Sequence, residues 1–263
     1  MRVGCCISMF ATEKDPTGAE WLKAAADAGY DYAEFSAARI AKLSDAELEE
    51  IIAKLKKANL PCYSCNGFVS GDIKLTGPTV NLQKVKEYLE IVMPRIARLG
   101  AKYIVFGSPG ARSYPEGFSK NAAVEQLADF LRLCAKYCDQ YKLFVAIEPL
   151  NRGETNIINN LTEGAELMDM VNHPRIRLLS DYYHYEIENE TLEVLQSVCD
   201  RLVHAHFAEV ENRSYPTEMK AKYREFFDVL VKSGFNGGCS IEARSKNIAE
   251  DIAHGARVLA EYR

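Results

Sequence analysis

The chain has 263 residues, 48% of them hydrophobic and 26% charged, with a formal net charge of −5. That length suits one large domain or two small ones with a substantial core, and the excess of acid argues against a protein held on nucleic acid or anionic membrane by bulk charge. Apolar runs such as Leu143–Ile147 fall far short of the roughly 20 residues of a membrane span, and MRVGCCISMF enters a strand-like run after one Arg without a long apolar leader. In chain order, a β-rich run at Val3–Ser8 precedes a helical pattern over Gly18–Ala28. Tyr32–Phe35 precedes Ser44–Ala58, Pro61–Cys65 precedes Thr79–Leu99, and Tyr103–Phe106 precedes Ser119–Gln140. Leu143–Glu148 is followed by Thr162–Val171, and Ile176–Asp181 by Thr191–Cys199. Leu202–Phe207 leads to Thr217–Lys232, and Gly238–Glu242 to Asn247–Tyr262.

The helical segments show apolar residues three and four apart, as in Leu48, Ile51, Ile52 and Leu55. Ser44-Asp-Ala-Glu47 and Thr217-Glu218 read as helix starts, and Gly29, Gly100 and Gly234 as helix stops. Eight strands alternating with eight helices predict a single (β/α)8 barrel over residues 1–263, with its site at the C-terminal ends of the strands. No Pro/Gly/Ser-rich linker divides the chain. No G-x-G-x-x-G follows a strand, so a dinucleotide site is not expected.

Eight cysteines lie in or beside strands and helices. Cys62-Tyr-Ser-Cys65 matches C-x-x-C, but no second pair stands at zinc spacing. Reduced, buried cysteines and a cytoplasmic location are the expectation.

The strand ends carry the chemistry. Strand five ends in Glu148, strand six in Asp181, strand seven carries His206 and strand eight ends in Glu242. A carboxylate at the lip of an apolar core is costly unless paired or bound to a cation. Each acid alone could pair with a rim lysine. Together the four make a ligand set of three hard oxygens and one nitrogen, suited to one Mn²⁺, Mg²⁺ or Co²⁺, with Zn²⁺ also possible.

Several segments carry a family resemblance. They are Asn66-Gly-Phe with Gly71–Gly77, Val105–Arg112 with Pro115–Phe118, Glu148-Pro-Leu-Asn-Arg-Gly-Glu154, Asp181-Tyr-Tyr-His184 and His204-Ala-His206. The pattern resembles the xylose isomerase-like TIM-barrel family of sugar isomerases and epimerases, near its tagatose/psicose 3-epimerase and hydroxypyruvate isomerase branch. The resemblance implies Glu148, Asp181, His206 and Glu242 as metal ligands and a small sugar as substrate. It also implies substrate contacts from Glu154, His184, Asn66 and Arg213, and assembly into dimers or tetramers.

Glu148 and Glu242, arriving from strands five and eight, suit the acid and base that would flank a planar cis-enediolate. Arg112 is expected either to orient the substrate or to be a solvated loop residue. His204 is expected to pack behind the barrel wall. Glu34 is expected at the rim, on a sugar hydroxyl or paired with Arg39, and Glu209 competes with Arg213 for the loop after strand seven. Trp21 reads as an outer-layer anchor, and of Tyr182 and Tyr183 one should wall the pocket while the other enters the core.

Three other readings compete. A metal-dependent lyase of the inosose dehydratase or 3-oxo-C-glycoside deglycosidase type would share the enediolate step. An endonuclease IV-like phosphodiesterase would need more histidines early in the chain, and none of the five precedes His173. A non-catalytic sugar-binding barrel would not need the intact ligand set. The segments after strands seven and eight, Ala208–Glu211 and Ala243–Lys246, lack a Gly-rich phosphate loop, which points to an unphosphorylated sugar or polyol ketone.

Overall fold

The computed structural model describes residues 1–263. Eight parallel strands close into a barrel in sequence order: β1 Arg2–Cys6, β2 Tyr32–Ser36, β3 Cys62–Asn66, β4 Tyr103–Phe106, β5 Phe144–Ile147, β6 Ile176–Asp181, β7 Leu202–Phe207 and β8 Gly238–Ile241. β1 pairs with β8 through Arg2–Gly238 to Cys5–Ile241, which completes the ring. The chain is a (β/α)8 barrel, as the alternation of elements predicts. No helix is long and apolar enough to cross a membrane.

The helices bury one stripe each against this ring. In Asp45–Ala58 the buried residues are Leu48, Ile51 and Leu55, and Ser44 and Glu47 form a reciprocal capping box. Leu82–Leu99 starts on the Asn81 side chain and stops at Gly100. All eight cysteines are buried and unpaired.

Some boundaries differ from the sequence reading. The segment starting at Gly18 splits into a 3₁₀ turn, Ala19–Trp21, and a helix, Leu22–Ala28. Trp21 packs edge-on against Phe10 with centroids 6.1 Å apart. Thr217 does not cap a helix; that helix is Ala221–Lys232, with Lys220 at the N-cap position. Short helices Ala37–Ile40 and Tyr182–Ile187 follow β2 and β6 directly, and Pro109–Arg112 follows β4 after Gly107 and Ser108.

The barrel axis is unusually polar. An apolar layer of Val105, Ala146 and Leu179 is small, and Tyr32, with its hydroxyl 2.9 Å from Ser240 Oγ, packs against Tyr63 and His204. Gly4 admits the Tyr32 ring: a Cβ there would come within 2.1 Å of it.

Candidate active site

The ends of β5 to β8 bring Glu148, Asp181, His206 and Glu242 together, as the sequence order suggests. Their donor atoms all lie within 4.8 Å of one another. His206 Nδ1 is 3.0 Å from Glu148 Oε1 and 3.4 Å from Glu242 Oε2. Two donors on one ion at about 2.1–2.2 Å can stand at most about 4.4 Å apart, so small side-chain adjustments would let all four reach one cation.

The charge balance points the same way. Burial and neighbouring carboxylates push the Asp181 carboxyl up to about 7 against the pull of Arg213. Burial also raises Glu148, despite His206 beside it. Burial likewise opposes charge on Glu242, but His206 and Arg213 outweigh it and hold that carboxyl at about 2. Three buried carboxyls in this space cannot all ionise comfortably unaided, and a divalent cation would remove the conflict. Cys6, Glu34, His206 and Glu242 form a second grouping of the same tightness, but both Glu34 oxygens are already engaged in hydrogen bonds.

Glu34 is the main surprise. It is fully buried beneath the cluster, not at the rim. Its Oε1 lies 2.8 Å from His206 Nε2; its Oε2 lies 2.8 Å from His204 Nε2 and 2.7 Å from Ser240 Oγ, and also accepts from Ser64 Oγ. His204 therefore does not sit behind the barrel wall. Side chains in a strand alternate with a period of two, so residues 204 and 206 share a face, and both imidazoles enter the interior. With Nε2 committed to Glu34, His206 presents Nδ1 to the other ligands.

The substrate-contact candidates divide. His184 is buried and lines the cleft. Its Nδ1 accepts from the Asn151 backbone N–H at 3.1 Å, so in the neutral ring Nε2 carries the hydrogen; that atom has no hydrogen-bond partner. Burial pushes its pKa down to about 3.

Arg213 reaches into the ligand cluster: Nη2 is 3.2 Å from Asp181 Oδ2 and bonds Glu242 Oε2, and Nη1 is 3.3 Å from Glu154 Oε1. Its guanidinium lies over the Tyr183 ring at 4.7 Å, while Tyr182 packs in the core. Asn212 and Arg213 hold left-handed backbone, φ +58° and +50°, which costs about 1–3 kcal/mol at each non-glycine residue. Glu209 turns away to Lys220, 2.6 Å distant. Asn66 lines the cleft, donates to Glu242 Oε1 and accepts from Ser8 Oγ at 3.1 Å, so it steadies Glu242.

Arg112 is a correction. It is neither solvated nor on the cleft wall. Its side chain is 0% exposed and donates to the carbonyls of Phe106, Glu148 and Ile158 at 3.1, 2.8 and 3.2 Å. It ties the β4 and β5 loops together from behind. Gly107 serves the same junction, since a Cβ there would come 2.3 Å from Glu148 Oε2. Arg39, expected to pair with Glu34, instead donates to the Ser8 carbonyl at 2.9 Å.

The cleft over these residues has a volume of about 240 Å³, and Met9, Pro109 and Leu150 are its apolar lining side chains. A buried acid cluster at the mouth of a (β/α)8 barrel, under a polar cleft, is where enzymes of this fold carry their chemistry, and curated sugar epimerases among its relatives make this chain an enzyme of the isomerase and epimerase class. The xylose isomerase-like TIM barrel model matches residues 22–262, and the chain belongs to that family. It is similar to an L-ribulose 3-epimerase of Methylomonas sp. strain DH-1, 29% identical over 240 residues, covering 87% of this chain and 79% of the relative. A 3-dehydro-D-guloside 4-epimerase of Escherichia coli K12 is 26% identical over 223 residues, 82% of this chain and 84% of the relative. The crystal structure of a D-allulose 3-epimerase from Methylomonas sp. superposes with a TM-score of 0.87 at 20% identity, over 100% of this chain and 98% of that one, a likeness of fold.

Proposed function

We propose that residues 1–263 form one catalytic domain, a cytoplasmic, divalent-metal-dependent sugar epimerase or isomerase acting on a ketose through a cis-enediolate. The observation that carries this reading is the convergence of Glu148, Asp181, His206 and Glu242 within 4.8 Å at four successive strand ends. Those four residues would hold the ion, with Mn²⁺ the first choice for three oxygens and one nitrogen. When bound, the cation supplies Lewis-acid polarisation of vicinal carbonyl and hydroxyl oxygens.

Glu148 and Glu242 then divide the proton work. One carboxylate takes the proton from the hydroxyl-bearing carbon next to the carbonyl; the C–H electron pair becomes the C=C bond and the carbonyl π pair moves onto its oxygen, which leaves the enediolate. The other returns a proton from the opposite face, which inverts that carbon. An enediolate formed between C1 and C2 of the ketose and reprotonated at C2, with a proton passing from the C1 oxygen to the C2 oxygen, gives aldose–ketose isomerisation instead. His184 Nε2–H, 3.5 Å from Asp181 Oδ2 and without a hydrogen-bond partner, would turn to a substrate oxygen, and Arg213 and Glu154 border the same cleft.

The test is solvent deuterium uptake by ketohexoses, ketopentoses and hydroxypyruvate in D₂O, with metal analysis of the purified chain. Uptake that stops on chelation, returns with Mn²⁺, and is abolished in both E148Q and E242Q is expected. Uptake persisting in both variants would remove them as acid and base.

A further inference from the structure

The cleft is sorted by charge. Its acids, Glu148, Glu154 and Glu242, all belong to the half built by β5 to β8, and Arg213 is paired among them. The half built by β1 to β4 contributes no acid. Its one charged side chain is Arg39, on the short helix Ala37–Ile40 that follows β2. In a closed ring of eight strands taken in sequence order, β2 stands across the barrel from β6, the strand of Asp181.

Arg39 makes no ion pair, and its bond to the Ser8 carbonyl is its only side-chain hydrogen bond. That bond ties the guanidinium to the rim and leaves four of its five N–H donors (five per guanidinium) without a protein partner. Its neighbours along the cleft are hydroxyls and amide groups, including Ser36, Ser108 and Asn66. A tethered guanidinium with an open fork, at the edge of a polar cleft, matches a carboxylate or phosphate. A ketose with its reacting oxygens over the acid cluster and its remaining carbons laid across the cleft would bring its far end to this half.

We infer that the substrate carries an anionic group, phosphate or carboxylate, at the end remote from the reacting carbon, and that Arg39 receives it. This inference rests on the epimerase reading above. It replaces the expectation of a neutral sugar, which considered only the loops after β7 and β8. The cation lies after β2 instead.

Calorimetric binding of D-fructose, D-fructose 6-phosphate and D-fructuronate to the Mn²⁺-supplemented wild-type chain, R39A and R39K tests it. At least one anionic ketose should bind about tenfold or more tighter than D-fructose, the scale of a charge-assisted bidentate contact. R39A should bring that ratio close to one, and R39K should keep part of it. Which anionic ketose shows the preference distinguishes phosphate from carboxylate. D-fructose binding as tightly as both, or R39A weakening all three alike, would overturn the inference. Deuterium uptake in the same samples reads the epimerase proposal separately. An Arg39-dependent preference without uptake upholds the anion site and sinks the epimerase, whereas uptake into D-fructose without any preference does the reverse.

Discussion

Glu34 Oε1 lies 2.8 Å from His206 Nε2, at the base of the acid cluster, and both residues are completely buried. The bond decides which imidazole nitrogen faces the other ligands, so Glu34 is a positioning residue. In E34Q the amide keeps the shape but loses the charge and half the acceptor capacity. Mn²⁺ affinity of the metal-free protein should fall about 10–100-fold, the usual effect of losing such an outer partner, as read by calorimetric titration. With diamagnetic Zn²⁺ bound, the ¹⁵N resonances of His206 should report protonation at Nε2 in the wild type and a weaker preference for it in the variant. Unchanged affinity and tautomer would remove the orienting role.

Arg112 has a structural task. One guanidinium joins three carbonyls, and that of Glu148 has it as its donor. R112M leaves the Glu148 carbonyl without a donor, while Phe106 and Ile158 keep the Glu148 and Leu150 N–H groups, and it should cost about 1–3 kcal/mol. R112K should also be destabilised, since one ammonium cannot reproduce a planar fork. Urea denaturation measures both, and a wild-type midpoint in R112M would show that the Glu148 carbonyl finds another donor.

Stability should also carry a pH signature remote from the cleft. Glu190 accepts from the Leu161 backbone N–H at 2.8 Å, at the start of the helix Leu161–Val171. Burial, with Glu163 adding to it, raises this carboxyl from an ordinary 4.5 to about 7. A raised carboxyl favours the folded state fully below pH 4.5, and that advantage is lost as pH climbs toward 7. E190Q keeps an acceptor for Leu161 and removes the titration. Its stability should decline less than that of the wild type between pH 4.5 and 7, leaving the variant relatively favoured at pH 8. Parallel slopes in urea melts across that range would refute the assignment.

The strands were legible because each is a short buried run, such as Val145, Ala146 and Ile147 ahead of Glu148, and because the acids stand immediately after them. The helices of four to six residues, such as Pro109–Arg112, were not, since so short a segment shows no helical period. His204 was misplaced through its spacing: two residues along a strand return to the same face. Glu34 offered a usable signal, a lone acid inside the apolar run Tyr32–Phe35, which demands buried partners. No sequence signal marks Arg112 as an interior residue, because charged loop residues are ordinarily solvated.

The polar column through the barrel makes Glu34, His204, His206 and Ser240 one hydrogen-bonded unit. Hydrocarbon layers drift by exchanging one branched side chain for another of similar bulk, but this column has no such neutral steps. Replacing any member strands its partners, so lineages descending from this chain should alter the four positions in concert or leave them alone, and the resulting epistasis would confine evolutionary novelty to the loops around the mouth.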